Sequence, residues 1–204
     1  MNGASVVFPP MPDRRPILVV AATARELATG DGWLGHRCGV GPVEAAASTA
    51  AAIAAIGARA VLHVGIAGAH QDAALAPGSL IIGAESCYCD LEMAGDWAPR
   101  VALPDATLLA ALRAALPMVP VLTIGTSARV GGTLSCHRDV PVEAMEGFGV
   151  LRAAQMAGIP AIEIRAVSNE IEEQDRRRWH FDLAFEAIVS ATPRLVEVIA
   201  ACVS

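Results

Sequence analysis

Residues 17–22 read Ile-Leu-Val-Val-Ala-Ala, six apolar side chains in a row without alternation. Successive residues of a strand point to opposite faces. A strand with one wetted face therefore alternates, and this one does not. It must be covered on both faces, which helices on either side of a sheet provide. The rest of the chain supplies those helices. Glu44–Ile56 (EAAASTAAAIAAI) is rich in the best helix former and stops at Gly57. Ala60–Val64 reads as the next strand and runs into a glycine-rich turn, GIAGAH. Ser79–Ala84 follows the turn-like Pro77-Gly78. Asp105–Ala115 reads as a helix and Val119–Gly125 as a strand. Glu143–Ala157 reads as a helix halted by Gly158-Ile159-Pro160, and Ala161–Val167 as a strand. Trp179–Cys202 reads as a long helix, with room for a break near Pro193. The expectation is a single-domain, three-layer α/β fold over residues 16–204. Its central sheet is twisted, mixed but largely parallel, and flanked by helices.

The Pro-rich start, MNGASVVFPPMPDRRP, reads as a flexible leader over residues 1–15. It has no long apolar core after a basic region, so it does not read as a signal peptide. Val40–Ala69 is apolar, but Glu44, Arg59 and His63 interrupt it and Gly57 splits it. A helix followed by a strand explains it better than a membrane span. With 204 residues, 54% of them hydrophobic and 18% charged, the chain can bury a substantial core. A net charge of −6 argues against a nucleic-acid partner, which needs clustered Lys and Arg. Arg176-Arg177-Arg178 is the one basic run, too short for a general polyanion surface. The five cysteines are odd in number and lack the spacing of a disulfide framework, which points to a reducing, cytoplasmic setting. Cys87-x-Cys89, His36-x-Cys38 and Cys136-His137 do not have zinc-site spacing, so no metal is expected.

Ligands of layered α/β folds bind beyond the carboxyl ends of strands. Glu26, Gly65–Gly68 and Ser168-Asn169 all fall there, which points to a small-molecule pocket. Taken singly, each signal is modest. The GIAG turn lacks the features of a phosphate loop and reads more readily as a packing turn. Glu26 alone reads as a solvated residue. Glu146, in the apolar setting AMEGFG, either caps its own helix or holds a polar ligand, because an unpaired carboxylate there is costly.

Together these segments resemble the nucleoside phosphorylase and nucleosidase superfamily. ILVVAATARE resembles its first strand and catalytic-acid turn, and GVGPVEAAAST its second motif. HVGIAGA resembles its Gly-x-x-Gly turn, VEAMEGFGV its Met-Glu ribose motif and IRAVSN its base-contacting loop. The five stand in the family's order between about residues 17 and 199. Within the superfamily, Glu143–Gly147 and RAVSNEIEEQDRRRW resemble the futalosine hydrolase branch most. Phe148-Gly149 stands where Ala-Ala is more usual, and Ala144 where Ser is common.

The resemblance implies hydrolysis of the N-glycosidic bond of futalosine. Hypoxanthine and dehypoxanthine futalosine are the products, on one bacterial route to menaquinone, and no cofactor takes part. It implies that Glu26 activates water and that Glu146 accepts from the ribose hydroxyls. Met145 would pack on sugar or base, and Ala67 and Gly68 would line the substrate site. Asn169 would contact the base where adenine-releasing relatives carry an Asp, and Ser168 either orients it or serves a turn. His63 and Ile66 stand where one phosphorylase branch has phosphate ligands, which favours water, although Arg25 could still reach an anion. Arg100, Arg129 or the tract 176–178 could meet the remote carboxylate of futalosine, the tract reading better as a solvated face. Tyr88–Trp97 lies where relatives lend a loop to a neighbouring subunit, which implies a homo-oligomer. The alternatives are a purine nucleoside phosphorylase, a methylthioadenosine/S-adenosylhomocysteine-type nucleosidase, or a catalytically inactive nucleoside-binding protein.

Overall fold

The first strand is covered on both faces. In the computed structural model, which describes residues 15–92, 97–130 and 140–203, β1 spans Ile17–Ala21 and all five of its residues are buried. Ile17, Val19 and Ala21 join one apolar core, Leu18 and Val20 the other. The elements that follow are β2 (Trp33–Arg37), α1 (Pro42–Ile56), β3 (Ala60–Ala69), β4 (Leu80–Tyr88), β5 (Val101–Ala102) and α2 (Ala106–Ala115). Then come β6 (Val121–Thr126), β7 (Val142–Ala144), α3 (Gly147–Met156), β8 (Ala161–Glu170) and α4 (Phe181–Cys202). Helices α2 and α4 close the first core, and α1 and α3 the second. The expected three-layer α/β architecture is therefore met. The leader expected over 1–15 lies outside the described residues, apart from Arg15.

The sheet is mixed. β1 pairs in parallel with β2 and β3, β3 with β8, β4 with β6, and β6 with β7. β3 with β7, β4 with β5 and β4 with β8 are antiparallel. The pairings β3–β7–β6–β4–β8–β3 close on themselves, so five strands form a small ring. A third apolar cluster, including Ala67, Ile81, Ile124, Val142 and Val167, belongs to these strands. This curling gathers the ends of β3, β7 and β8 around one place.

Local chemistry sets the helix ends. Asp105 Oδ1 accepts from the backbone N–H of Thr107 and Leu108 at 2.9 and 3.0 Å, capping α2. Gly57 closes α1 in the left-handed region at φ 68°. α4 runs unbroken through Pro193. Its buried stripe, Ala184, Ile188, Thr192, Leu195 and Ile199, continues on both sides of the proline. That packing outweighs the roughly 3 kcal/mol that an interior proline costs.

Three expectations are corrected. The helix read over Glu143–Ala157 starts at Gly147, and Val142–Ala144 instead form β7 between β3 and β6. GIAG is not a turn. β3 passes straight through it, with a register shift between Ala67 and Gly68. β8 likewise does not stop before Ser168 but continues through Asn169 to Glu170. In each case pairing with a distant strand supplies hydrogen bonds that local composition does not foretell.

Candidate active site

A cavity of about 340 Å³ opens where β1, β3, β7 and β8 end. Glu26, Ala67, Gly68, Met145, Glu146, Ser168 and Asn169 all line it. They come from four separate parts of the chain.

Glu26 sits in a one-turn 3-10 helix just after β1 and is only 3% exposed. Its Oε2 accepts from Thr23 N at 2.8 Å and from Thr23 Oγ1 at 2.7 Å. Oε1 accepts from Ile66 N at 3.3 Å. The solvated reading of Glu26 is thereby overturned. Thr23 thus holds Oε2 with two hydrogen bonds and Ile66 N holds Oε1 with one, and the residue lines the cavity.

Glu146 is 4% exposed and immediately precedes α3. It makes no side-chain cap to its own helix. Thr126 Oγ1 takes that part, accepting from Phe148 N at 2.8 Å. Glu146 instead accepts from Gly41 N at 3.3 Å and faces the Arg165 guanidinium at 3.2 Å. The reading in which it caps its own helix is thereby overturned, and the side chain lines the cavity. Burial pushes its carboxyl above the ordinary range, and Arg165 and the Gly41 N–H oppose that shift.

Ser168 and Asn169 are both buried at the end of β8. Ser168 Oγ lies 2.7 Å from Asn169 Oδ1, to which it donates, and 3.1 Å from the Ala67 carbonyl. Asn169 Nδ2 donates to the Glu170 carbonyl at 2.8 Å. An amide NH2 has two hydrogens, so one is left for a ligand. Ser168 is thus placed to fix the amide's orientation.

Beneath these groups lies a buried network centred on Arg165. Its Nε donates to Glu163 Oε1 at 2.8 Å, Nη2 to His63 Nε2 at 2.5 Å, and Nη1 to the Ile66 carbonyl at 3.4 Å. Ser86 Oγ donates to the other oxygen of Glu163. His63 Nδ1 lies 3.0 Å from the Val20 carbonyl and must carry the proton, which leaves Nε2 as the acceptor. Burial and the neighbouring guanidinium hold His63 well below its ordinary pKa, so it is neutral. The acidic neighbours push Arg165 up. One guanidinium here faces three carboxyl groups, Glu26, Glu146 and Glu163. Two glycines make the close packing possible. A Cβ at Gly65 would strike Arg165 Nη1 and lie 3.1 Å from Glu26 Oε1, and one at Gly147 would strike the Glu163 carboxylate.

Sequence reasoning missed Arg165 and Glu163. The available signal was AIEIRAV, where opposite charges two apart share one face of an otherwise apolar strand. Three other expectations change. Arg25 does not reach the cavity; it pairs with Asp182 at 2.7 Å and lies 4.4 Å over the Phe185 ring. Arg100 does not line the cavity, whereas Arg129 and Arg176 do. Arg177 and Arg178 are turned to Asp175 and Glu173. Phe148, at one of the unusual positions, stacks on Tyr88 with ring centroids 5.1 Å apart. Among the described residues no helix is long and apolar enough to cross a membrane, and no group of three or more His, Cys, Asp or Glu could hold a metal ion.

The phosphorylase superfamily matches residues 30–204. The chain is 38% identical over 190 residues to futalosine hydrolase of Streptomyces coelicolor, covering 83% of this chain and 80% of that protein. Its fold is that of futalosine hydrolase of Helicobacter pylori strain 26695, with a TM-score of 0.77 at 16% identity, covering 92% of this chain and 98% of that one. The adenine complex of methylthioadenosine/S-adenosylhomocysteine nucleosidase from Colwellia psychrerythraea 34H matches equally, with a TM-score of 0.77 at 18% identity over 93% of this chain and 96% of that one. The two structural likenesses speak to fold, and the 38% identity to kinship. The chain belongs to the phosphorylase superfamily and, within it, to the futalosine hydrolase family.

Proposed function

We propose that this protein hydrolyses the N-glycosidic bond of futalosine, releasing hypoxanthine and dehypoxanthine futalosine. The observation that carries the reading is the convergence of Glu26, Glu146 and the Ser168–Asn169 pair on one cavity. The sequence identity to a futalosine hydrolase selects the substrate.

The reaction needs three things: a held ribose, an activated water and a stabilised leaving base. Glu146, when ionised, offers acceptor oxygens to the vicinal ribose hydroxyls. It also sets negative charge near the sugar as oxocarbenium character develops, where that charge is most effective. Met145, beside it, forms a pliable apolar wall. Glu26 takes a proton from water as the water oxygen bonds to C1′ and the bond from C1′ to the base breaks. Thr23 occupies Oε2, so the Oε1 edge does this work. The electron pair of the broken bond passes to hypoxanthine, which is then protonated by solvent. Asn169 donates its spare N–H to O6 or N7 as charge builds there. An amide cannot protonate N7, which disfavours an adenine-releasing enzyme.

Phosphorolysis fits poorly. A phosphate would enter beside three carboxyl groups, and Arg165 is already engaged by Glu163, Glu146 and His63. The test is chromatography of futalosine and of methylthioadenosine incubated with the protein, with and without phosphate. Hypoxanthine should appear from futalosine at a rate indifferent to phosphate. A sugar 1-phosphate product would overturn hydrolysis, and adenine release at a comparable rate would overturn the substrate. Tight binding of futalosine without turnover would leave only a nucleoside-binding protein.

We further infer a homo-oligomer in the cytoplasm. Trp97, Val101 and Leu103 are large, exposed apolar side chains that a second copy would cover. Cys38 and Cys202 are free thiols, in keeping with a reducing compartment. Light scattering at several concentrations tests the first inference; a strict monomer would refute it.

A further inference from the structure

The cavity has an acidic floor and a different outer wall. Arg176, Trp179 and Phe181 line both it and a second cleft of about 570 Å³ that continues past Arg25, Arg177 and His180. A ligand reaching from one to the other must cross these three side chains. The Arg176 guanidinium lies 5.7 Å from the Trp179 ring centroid, and Trp179 and Phe181 meet at 5.4 Å. Trp179 Nε1 donates to the Glu173 carbonyl at 2.9 Å, which fixes the indole.

The charges on this wall are sorted. Arg25, Arg177 and Arg178 are each committed to an acid, Asp182, Asp175 and Glu173 respectively. Arg176 makes no ion pair among the described residues, and it is the member of its tract that lines the cavity. Arg129 lines the same cavity from the segment after β6. At about 340 Å³ the cavity sits near the lower end of the roughly 300–1,000 Å³ of ligand sites, so a long substrate extends beyond it.

We propose that Arg176, on the Trp179 platform, binds a carboxylate carried on an aromatic ring at the far end of the nucleoside substrate. The proposal rests on the futalosine reading and adds the site for its benzoate end. A flat aryl carboxylate suits the wall twice over. Its ring stacks on Trp179 and Phe181, and its two oxygens meet a planar guanidinium fork. A small neutral nucleoside gains nothing from either.

The test is a cycle of two substrates and two proteins: futalosine and its methyl ester, with the parent and Arg176→Gln. The parent should prefer the acid by roughly 10- to 100-fold in kcat/KM, mostly through KM, as expected for a charge-assisted pair. Arg176→Gln should reduce that preference to about threefold or less, the change falling mainly on KM for the acid. Arg176→Lys should lie between. Trp179→Leu should raise KM for both substrates, since stacking does not sense the charge. If the parent cleaves acid and ester alike, or Arg176→Gln weakens both equally, the proposal fails while the hydrolase reading stands. Loss of the preference in Arg129→Gln but not in Arg176→Gln also overturns it. If the parent releases hypoxanthine from neither substrate, the hydrolase reading fails as well.

Discussion

Arg165 Nη2 stands 3.2 Å from Glu146 Oε2, with side-chain exposures of 1% and 5%. The same guanidinium is bonded to Glu163 and His63. The cavity's acidic floor is thus assembled around one buried cation. Each group is tolerable there because the others neutralise or hydrogen-bond it.

Removing that cation should be costly. Arg165→Met leaves Glu163 and Glu146 buried without a counter-charge. A loss of about 3–5 kcal/mol in unfolding free energy is expected, as for other broken buried pairs. Urea denaturation measures it, and adding Glu163→Gln should recover part of the loss. A loss under about 1 kcal/mol would show that water relieves the site instead.

Glu26→Gln keeps the shape of the side chain and removes the base. Turnover should fall by roughly 10² or more while substrate binding is largely retained. Steady-state kinetics with a separate binding measurement decide the matter. Turnover within about threefold of the parent would deny Glu26 the water.

His63 gives a pH signature. Burial lowers its folded pKa below the unfolded value, so its contribution to stability is present above the unfolded pKa of about 6.5. That contribution is lost as pH falls toward the folded value, because the unfolded chain takes up the proton first. The unfolding free energy should therefore decline below about pH 6.5, with a shallower slope in His63→Gln. Identical slopes in both proteins would mean that other groups carry the acid sensitivity.

Asn169→Asp should exchange one base preference for another. The carboxylate loses the N–H offered to O6, and also faces the Glu170 carbonyl to which Nδ2 now donates. Futalosine cleavage should drop by about 2–4 kcal/mol in transition-state stabilisation, comparable to losing one preorganised donor. Cleavage of aminodeoxyfutalosine should rise relative to it, since its N6 amine can donate to the new acceptor. The deciding quantity is the ratio of kcat/KM for the two substrates in both proteins. A ratio that stays put places base specificity elsewhere.

Much of this protein is legible in its sequence, because burial leaves a local periodic trace. The unbroken run Ile17–Ala22 requires cover on both faces, and the two cores on either side of β1 supply it. Ala-rich α1 with Gly57, and α2 behind Asp105, follow from propensity and capping alone. Glu26, Glu146 and Asn169 stand out as polar residues at strand and helix ends, and all three line one cavity. What tertiary structure alone decided is how these groups are held. GIAG became strand because β8 lies alongside it, its paired residues 100 or 101 positions further along the chain. Arg25, adjacent to Glu26, turned away to Asp182, and Arg165, three residues before Ser168, became the hub. A local window shows that a charge is present. Its partner is chosen only when packing brings distant carboxylates and an imidazole to the same buried point, where leaving any of them unpaired would cost more than the chain can bear.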